Sequence, residues 1–274
     1  MARLAYRFTH DILFKMLFTQ HPKILKHLVA AALGISIETV NDFTVMNPEI
    51  VPDALGDKFC RLDINMRVDG KLVDLEVQVG DEGNYPERSL YYWAREYSAA
   101  LPEGSDYIEL PQAVVISILD FNLFDCVEYH SEFRPLEVRR GELLSDRMVL
   151  HYFEVRKLPK SVDVGSELEL FLALFGTETE EELERLQALG VPIVTQAITA
   201  YRKTMASAQL RELERLRDKA RVDGMYALNK AKAEGILEGE KRADEKWQRA
   251  LDALRAEKEA EIAQFRAMLN IPEQ

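Results

Sequence analysis

The sequence predicts an α/β domain over residues 1–205 followed by a charged helical extension over residues 206–274. Three observations lead there. Two alternating runs flank Asp69-Gly70, Ala113 to Leu119 is a nearly unbroken apolar run, and segments on either side carry apolar residues at helical spacing. Leu13, Phe14, Leu17 and Phe18, then Ile24, Leu25, Leu28 and Val29, mark one or two N-terminal helices, with Pro22 opening the second and Gly34 closing it. Val40 to Val45 fits a short strand, and Asn47 to Gly56, with its two prolines and a glycine, fits a loop. Tyr85 to Leu101 reads as a helix and Ala113 to Leu119 as a buried strand. Cys126 to Phe133 and Met148 to Val155 are further strands, while Glu167 to Phe175, Glu180 to Leu189 and Ile193 to Met205 are helical.

From Ala206 no proline occurs before Pro272, and Ala, Glu, Lys, Arg and Leu dominate, which is the composition of a long exposed helix. Asp223-Gly224-Met225-Tyr226 recurs in degenerate form at Glu234-Gly235-Ile236-Leu237 and at Glu245-Lys246-Trp247-Gln248; Leu251 and Leu254 are followed by Ile262 and Phe265. An 11-residue period, about 3.67 residues per turn, favours a weak right-handed supercoil, so a coiled-coil homo-oligomer through this helix is expected. An unpaired charged helix fits the same residues, since Gly224, Gly235 and Gly239 lower the propensity.

At 274 residues and 47% hydrophobic content the chain has enough apolar side chains for a core, which excludes disorder as its main state. Stretches free of charge fall short of the ~20 residues that a membrane helix needs. Arg3, Arg7, His10, Asp11 and Lys15 interrupt the apolar residues of the N-terminus, so no secretory signal is expected and the cytoplasm is the expected compartment. Cys60 and Cys126 lack zinc-ligand spacing and are expected to be buried small hydrophobes. Residues 1–205 hold 21 basic and 33 acidic groups and carry the whole net charge of −12. Such a surface repels phosphate at long range, so a nucleic acid must be met by a local basic cluster or through metal cations.

The chemistry concentrates in Arg61 to Val79. An Asp-Gly pair between alternating runs signals a two-residue type I′ turn. If Val68 faces Lys71, then Leu62 meets Val77, Ile64 meets Leu75 and Met66 meets Val73 on one apolar face. The other face sets Arg61 against Gln78, Asp63 against Glu76, Asn65 against Asp74 and Arg67 against Leu72. Opposed like charges are destabilising unless something positive lies between them, so Asp63 and Glu76 invite a hard divalent cation, Mg2+ or Mn2+. A polar strand face turned to solvent fits the same pattern.

Asp63, followed across the hairpin by Glu76-Val77-Gln78, resembles the PD-(D/E)XK nuclease signature, and its surroundings resemble the recombination-promoting nuclease (Rpn) and transposase family of that superfamily. Asp11-Ile12-Leu13-Phe14-Lys15, Pro48-Glu49, Asp57-Lys58, Arg61-Leu62-Asp63-Ile64, Arg88 to Tyr92, Trp93-Ala94 and Tyr97 match it in order, over roughly Arg3 to Leu158. The resemblance implies a restriction-endonuclease-like core, a mixed sheet flanked by helices, carrying a metal-dependent DNA endonuclease linked to recombination or mobile elements. Asp63 and Glu76 would hold the metal with the Val77 carbonyl, and Gln78 would position the attacking water. Gln78 stands where the wider superfamily has lysine; it is neutral and cannot take a proton, so Arg61 or Lys58 is expected to supply positive charge. Both also fit as solvent-facing residues. Arg88, Tyr92 and Arg95 lie near one helix face that would touch a phosphate backbone, with Tyr91, Trp93, Ala94 and Tyr97 expected to pack on the sheet. Asp11 and Lys15, four apart on the first helix, are secondary site candidates or a helical ion pair. His130 and His151 have no metal-ligand spacing and read as structural. The rival reading is a non-catalytic oligomeric scaffold or DNA-binding adaptor retaining the nuclease fold; a nuclease for RNA or structured substrates shares every motif.

Overall fold

The computed structural model describes residues 2–46, 64–101 and 103–268. Pro48-Glu49, Lys58, Cys60, Arg61 and Asp63 lie outside the described residues. The chain divides into two units, Met1–Arg217 and Asp218–Gln274.

In the first unit, helix α1 (Asp11–Gln20) is followed after His21 by α2 (Pro22–Ala32), with Pro22 in the first turn, where its missing N–H costs nothing. Gly34 beyond α2 has φ 65°. Strand β1 is short, Phe43–Val45, and pairs antiparallel with β2 (Ile64–Val68), which pairs antiparallel with β3 (Lys71–Gln78). Helix α3 (Tyr85–Ala99) crosses over to β4 (Ala113–Leu119), which runs parallel to β3. Strands β5 (His130–Phe133) and β6 (Met148–Glu154) complete a six-stranded mixed sheet of order β1-β2-β3-β4-β6-β5, β6 parallel to β4 and β5 an antiparallel edge. Helices α4 (Glu167–Gly176), α5 (Glu180–Ala188) and α6 (Pro192–Met205) follow; Ser166 caps α4, and Thr179 with Glu182 forms a capping box on α5. Helix α7 spans Ala208–Met268, and its early residue Leu210 is fully buried in the core of the first unit.

The predicted hairpin register holds over the described residues: Ile64 pairs with Leu75, Asn65 with Asp74, Met66 with Val73, Arg67 with Leu72 and Val68 with Lys71. The turn is built as the Asp-Gly pair demands, with φ 47° at Asp69 and 80° at Gly70. Asp69 also accepts the backbone N–H groups of Asn41 (2.9 Å) and Asp42 (2.8 Å) through its carboxylate, tying the approach to β1 onto the turn. One sheet face, with Ile64, Met66, Val73, Leu75, Ile116, Ile118 and Phe153, joins the main core with α1, α2, α4 and α6. There Phe175 of α4 lies among Phe8, Phe14 and Phe18.

The second face differs from the expected solvated one. Helix α3 covers it, and Tyr85, Val115, Leu119, Phe121, Leu150 and Tyr152 form a separate, smaller core. Strand β4, parallel to both β3 and β6, is covered on both faces, so Ser117 is buried with its apolar neighbours, and Asp74 and Glu76 of β3 are buried on the same face. Strand β5 is shorter than the expected Cys126 to Phe133: the buried Glu154 carboxylate accepts the N–H groups of Leu123 (2.5 Å) and Phe124 (3.1 Å), and Lys157 Nζ donates to the Phe124 carbonyl. These side chains hold the turn before Cys126, and the Tyr129 carbonyl, just ahead of β5, accepts the Glu154 N–H at 2.7 Å. Cys126 in the same loop is exposed, against its expected burial. Tyr91 and Ala94 are also exposed, because Tyr85, Ser89 and Trp93, spaced by four, take the sheet-facing side of α3.

In the second unit the helix carries ion pairs one turn apart, Lys230–Glu234, Arg242–Glu238 and Lys258–Glu261 among them, and leaves Met225, Ile236, Trp247, Leu254 and Phe265 exposed. Among the described residues no helix is long and apolar enough to cross a membrane.

Because a Cβ on Gly70 meets nothing within 4 Å, Gly70→Ala costs only the left-handed backbone conformation, about 1–2 kcal/mol. Urea unfolding is expected to show that loss; an unchanged midpoint would show that the positive φ at position 70 does not define the turn.

Candidate active site

Strand β3 separates its side chains cleanly: Val73 and Leu75 enter the main core, while Asp74 and Glu76 point beneath α3. Glu76 is 1% exposed and Asp74 6%. A carboxylate is that deeply buried only when hydrogen-bonded or paired. Tyr85, the first residue of α3, meets the need: its hydroxyl lies 2.7 Å from Glu76 Oε2 and 2.8 Å from Ser117 Oγ. Ser117 is the register neighbour of Glu76 on β4. A phenol has one proton, so with Glu76 ionised Tyr85 donates to the carboxylate and accepts from the serine hydroxyl. Burial and then the Glu76 charge push the Tyr85 phenol well above its usual range, so it stays a donor. Tyr152 and Phe121 stand edge-on to the Tyr85 ring, and Tyr152 shares a 2.6 Å hydrogen bond with Ser89 of α3. Glu76 is thereby fixed in direction by groups on β4 and α3.

Gln78 ends β3 half-buried, its carbonyl accepting the Asp120 N–H at 2.8 Å. Asp120, also buried, receives Arg7 Nη1 at 2.5 Å and Arg156 Nε at 3.3 Å, and Arg7 further donates to the Phe175 carbonyl. Val79, the next residue after Gln78, lines an open groove of about 420 Å³ with Arg3, Arg7 and His10. Arginines thus gather where β3 and β4 end. In α/β sheets the carboxyl ends of parallel strands are where ligands bind.

Of the residues singled out from sequence, Glu76, Val77 and Gln78 stand together on β3; Asp63, Arg61 and Lys58 lie outside the described residues. The described part of the β2–β3 register ends at Ile64 with Leu75. Arg88 stacks its guanidinium over the Tyr85 ring at 5.0 Å and pairs with Glu82 at 3.3 Å, which sets a cation one side chain away from Glu76. Tyr92 is half-buried, Arg95 pairs with Glu96 at 3.6 Å, and Trp93 donates to the Ala113 carbonyl. Asp11 and Lys15 are on α1, which packs against the other sheet face. Asp11 pairs with Arg217 at 2.5 Å, and Lys15 is buried to 1% exposure.

Sequence reasoning missed Tyr85, Ser117, Asp120 and the arginines at Asp120. A Tyr-Pro pair opening a helix and an Asp ending an apolar strand were visible, but only the crossover from β3 to β4 brings them to the hairpin. His130 and His151, distant in sequence and read as structural, are brought together: antiparallel pairing of β5 with β6 sets His130 Nε2 and His151 Nδ1 3.0 Å apart, with Glu132 alongside. Burial lowers both imidazoles, His151 to about 4.

A family model described as PD-(D/E)XK nuclease family transposase matches residues 8–231. The chain belongs to this family. No curated protein and no solved structure matches it. Membership bears out the resemblance carried by the hairpin and its flanking blocks, and the mixed sheet flanked by helices bears out the fold class. PD-(D/E)XK nucleases use divalent metals, and the donor chemistry of β3 fits one: two buried carboxylates on one face, Asp74 and Glu76, the second held in a single orientation.

The Tyr85 hydrogen bond to a buried carboxylate is expected to contribute about 1.5–3 kcal/mol. Tyr85→Phe should lose that stability in the wild type and much less in a Glu76→Gln background. Additive losses in this double-mutant cycle would show that the two groups do not interact.

Proposed function

We propose that the chain is a divalent-metal-dependent DNA endonuclease whose site is the hairpin of β2 and β3 with the first turn of α3. The observation that carries the reading is Glu76: a fully buried carboxylate, oriented by Tyr85, on a strand whose described register with β2 runs up to Ile64 opposite Leu75. Asp63 and Glu76, with the Val77 carbonyl, are the proposed holders of Mg2+ or Mn2+. When bound, such an ion polarises a phosphate oxygen and lowers the pKa of water. Gln78, at the open end of β3, aligns that water by hydrogen bonding and leaves the proton to another acceptor. Arg61 and Lys58 are proposed to balance charge at phosphate, with Arg88 a further cation carried above Tyr85. A family of transposases acts in DNA rearrangement, which favours DNA and a link to recombination or mobile elements. The groove beside Val79 carries Arg3 and Arg7, but Arg7 is held by Asp120 and Glu178 also lines it, so a phosphate approaching there needs added cations.

Cleavage of supercoiled DNA with Mg2+ or Mn2+ tests the reading. Asp63→Asn and Glu76→Gln are expected to abolish cleavage while circular dichroism stays native; Gln78→Ala should slow it roughly 100-fold. Full activity in both carboxylate variants overturns the mechanism, and cleavage confined to RNA overturns the substrate. Since Glu76 is buried beneath α3, the conservative amide is the informative replacement, not alanine. The charge of −12 favours the adaptor reading, under which Mg2+ or Mn2+ titration by calorimetry would show no heat dependent on Glu76.

The helical extension is proposed to self-associate. Met225, Ile236 and Trp247, then Leu254 and Phe265, follow the 11-residue spacing and are all exposed in the single chain. Light scattering on the full chain is expected to give a multiple of 31.4 kDa, reverting to the monomer mass in Ile236→Glu/Trp247→Glu. A shortened chain should end after Arg217 and not at residue 206, because Leu210 is part of the main core. A monomeric wild type refutes the assembly.

A further inference from the structure

We propose that His130, Glu132 and His151 form a transition-metal site, most compatible with zinc, at the β5 edge of the sheet and independent of the hairpin carboxylates. His130 and Glu132 alternate on β5 and so share a face; Glu132 is the direct register partner of His151, and His130 that of Phe153. The three ligand atoms lie within 4.8 Å of one another, and the two imidazole nitrogens are 3.0 Å apart. Two nitrogens on a tetrahedral zinc, each at about 2.0–2.1 Å, are separated by about 3.3 Å, so small ring rotations make room for the ion. Neutral imidazoles with one carboxylate suit zinc and its neighbours, whereas Mg2+ requires an octahedron of oxygens.

The site is built on three levels of support. His130 stacks on Phe153 with ring centroids 4.4 Å apart and planes 19° apart, which fixes the plane of the ring. His151 is 6% exposed and stands opposite Ile116 on β4, on the main-core side of the sheet. Glu132 is more exposed and paired with Arg134. Arg134 is itself partly solvated, so exchanging this partner for a metal costs little. Glu76 lies on the opposite face, and β3 is separated from β5 by two strands, about 14 Å of sheet. Two imidazoles and one carboxylate leave a fourth position for water, and the ion would staple the edge strand to β6 where unpaired backbone otherwise invites a further strand.

Zinc titration of the full chain by calorimetry, with Co2+ as a spectroscopic probe of tetrahedral N/O ligation, tests the proposal. One zinc per chain is expected, with affinity reduced by more than about 100-fold in His130→Ala and at least tenfold in Glu132→Gln. His130 and Glu132 are at the surface edge, and native circular dichroism in both variants separates lost ligation from lost folding. Glu76→Gln should leave this binding unchanged, and excess Mg2+ should not displace it. Absence of zinc binding in the wild type overturns the proposal. So does binding unaltered in His130→Ala, or binding lost in Glu76→Gln instead.

Discussion

A two-residue turn sets the arrangement from which the rest follows. Asp69 and Gly70 both take positive φ, the backbone that matches strand twist in a tight hairpin, and this leaves β2 and β3 one pairing. A slip of one residue would turn Val73 and Leu75 toward α3 and drive Asp74 and Glu76 into the main core. Asp69 extends the constraint beyond the hairpin, since its carboxylate holds the backbone of Asn41 and Asp42 and so places β1. Parallel pairing of β3 with β4 then transmits the register to Ser117, and β4 with β6 carries it to Tyr152.

The consequence for chemistry is that Glu76 is presented inside a covered layer and not on a wet surface. Helix α3 starts with Tyr85 directly over the carboxylate, so the helix that closes the second core also orients Glu76. Low local dielectric strengthens every charge interaction there, including that with a bound cation. Orientation is over-determined because the Tyr85 ring is wedged against Tyr152 and Phe121, and its hydroxyl against Ser117. Side chains so held act as fixed dipoles, which is the condition for preorganised electrostatics.

Legibility followed the locality of each signal. Helices α1, α2 and α4 to α6, the hairpin register and β4 were readable because caps, prolines, periodicity and the Asp-Gly turn act within a few residues. The expected solvated face failed because cover by α3 depends on the crossover connection, which no alternation pattern records. The expected strand from Cys126 starts only at His130, where pairing with β6 begins, and that partner lies about twenty residues downstream. His130 and His151 were separated in the same way: their strands are joined by fourteen residues and not by a tight turn, so no register could be assigned. Of the two carboxylates proposed to hold the metal, Glu76 is placed by the structure, and Asp63 lies outside the described residues.

Charge bookkeeping gives the burial of Glu76 a further meaning. Arg7 and Arg156 are engaged by Asp120, Arg217 by Asp11 and Glu214, and Arg88 by Glu82. The two arginines described at Asp120, where the parallel strands end, are therefore committed to a buried carboxylate. A polyanion approaching this surface must displace such pairs or meet added cations, and displacement at Asp120 would strand a buried carboxylate at a cost of several kcal/mol. Cations held at the hairpin, as proposed, would avoid that cost, because they would add positive charge where Asp74 and Glu76 already concentrate negative charge. If the proposed endonuclease reading holds, the ions that would activate the chemistry would also let the domain hold nucleic acid, so binding and cleavage should depend on divalent metal together.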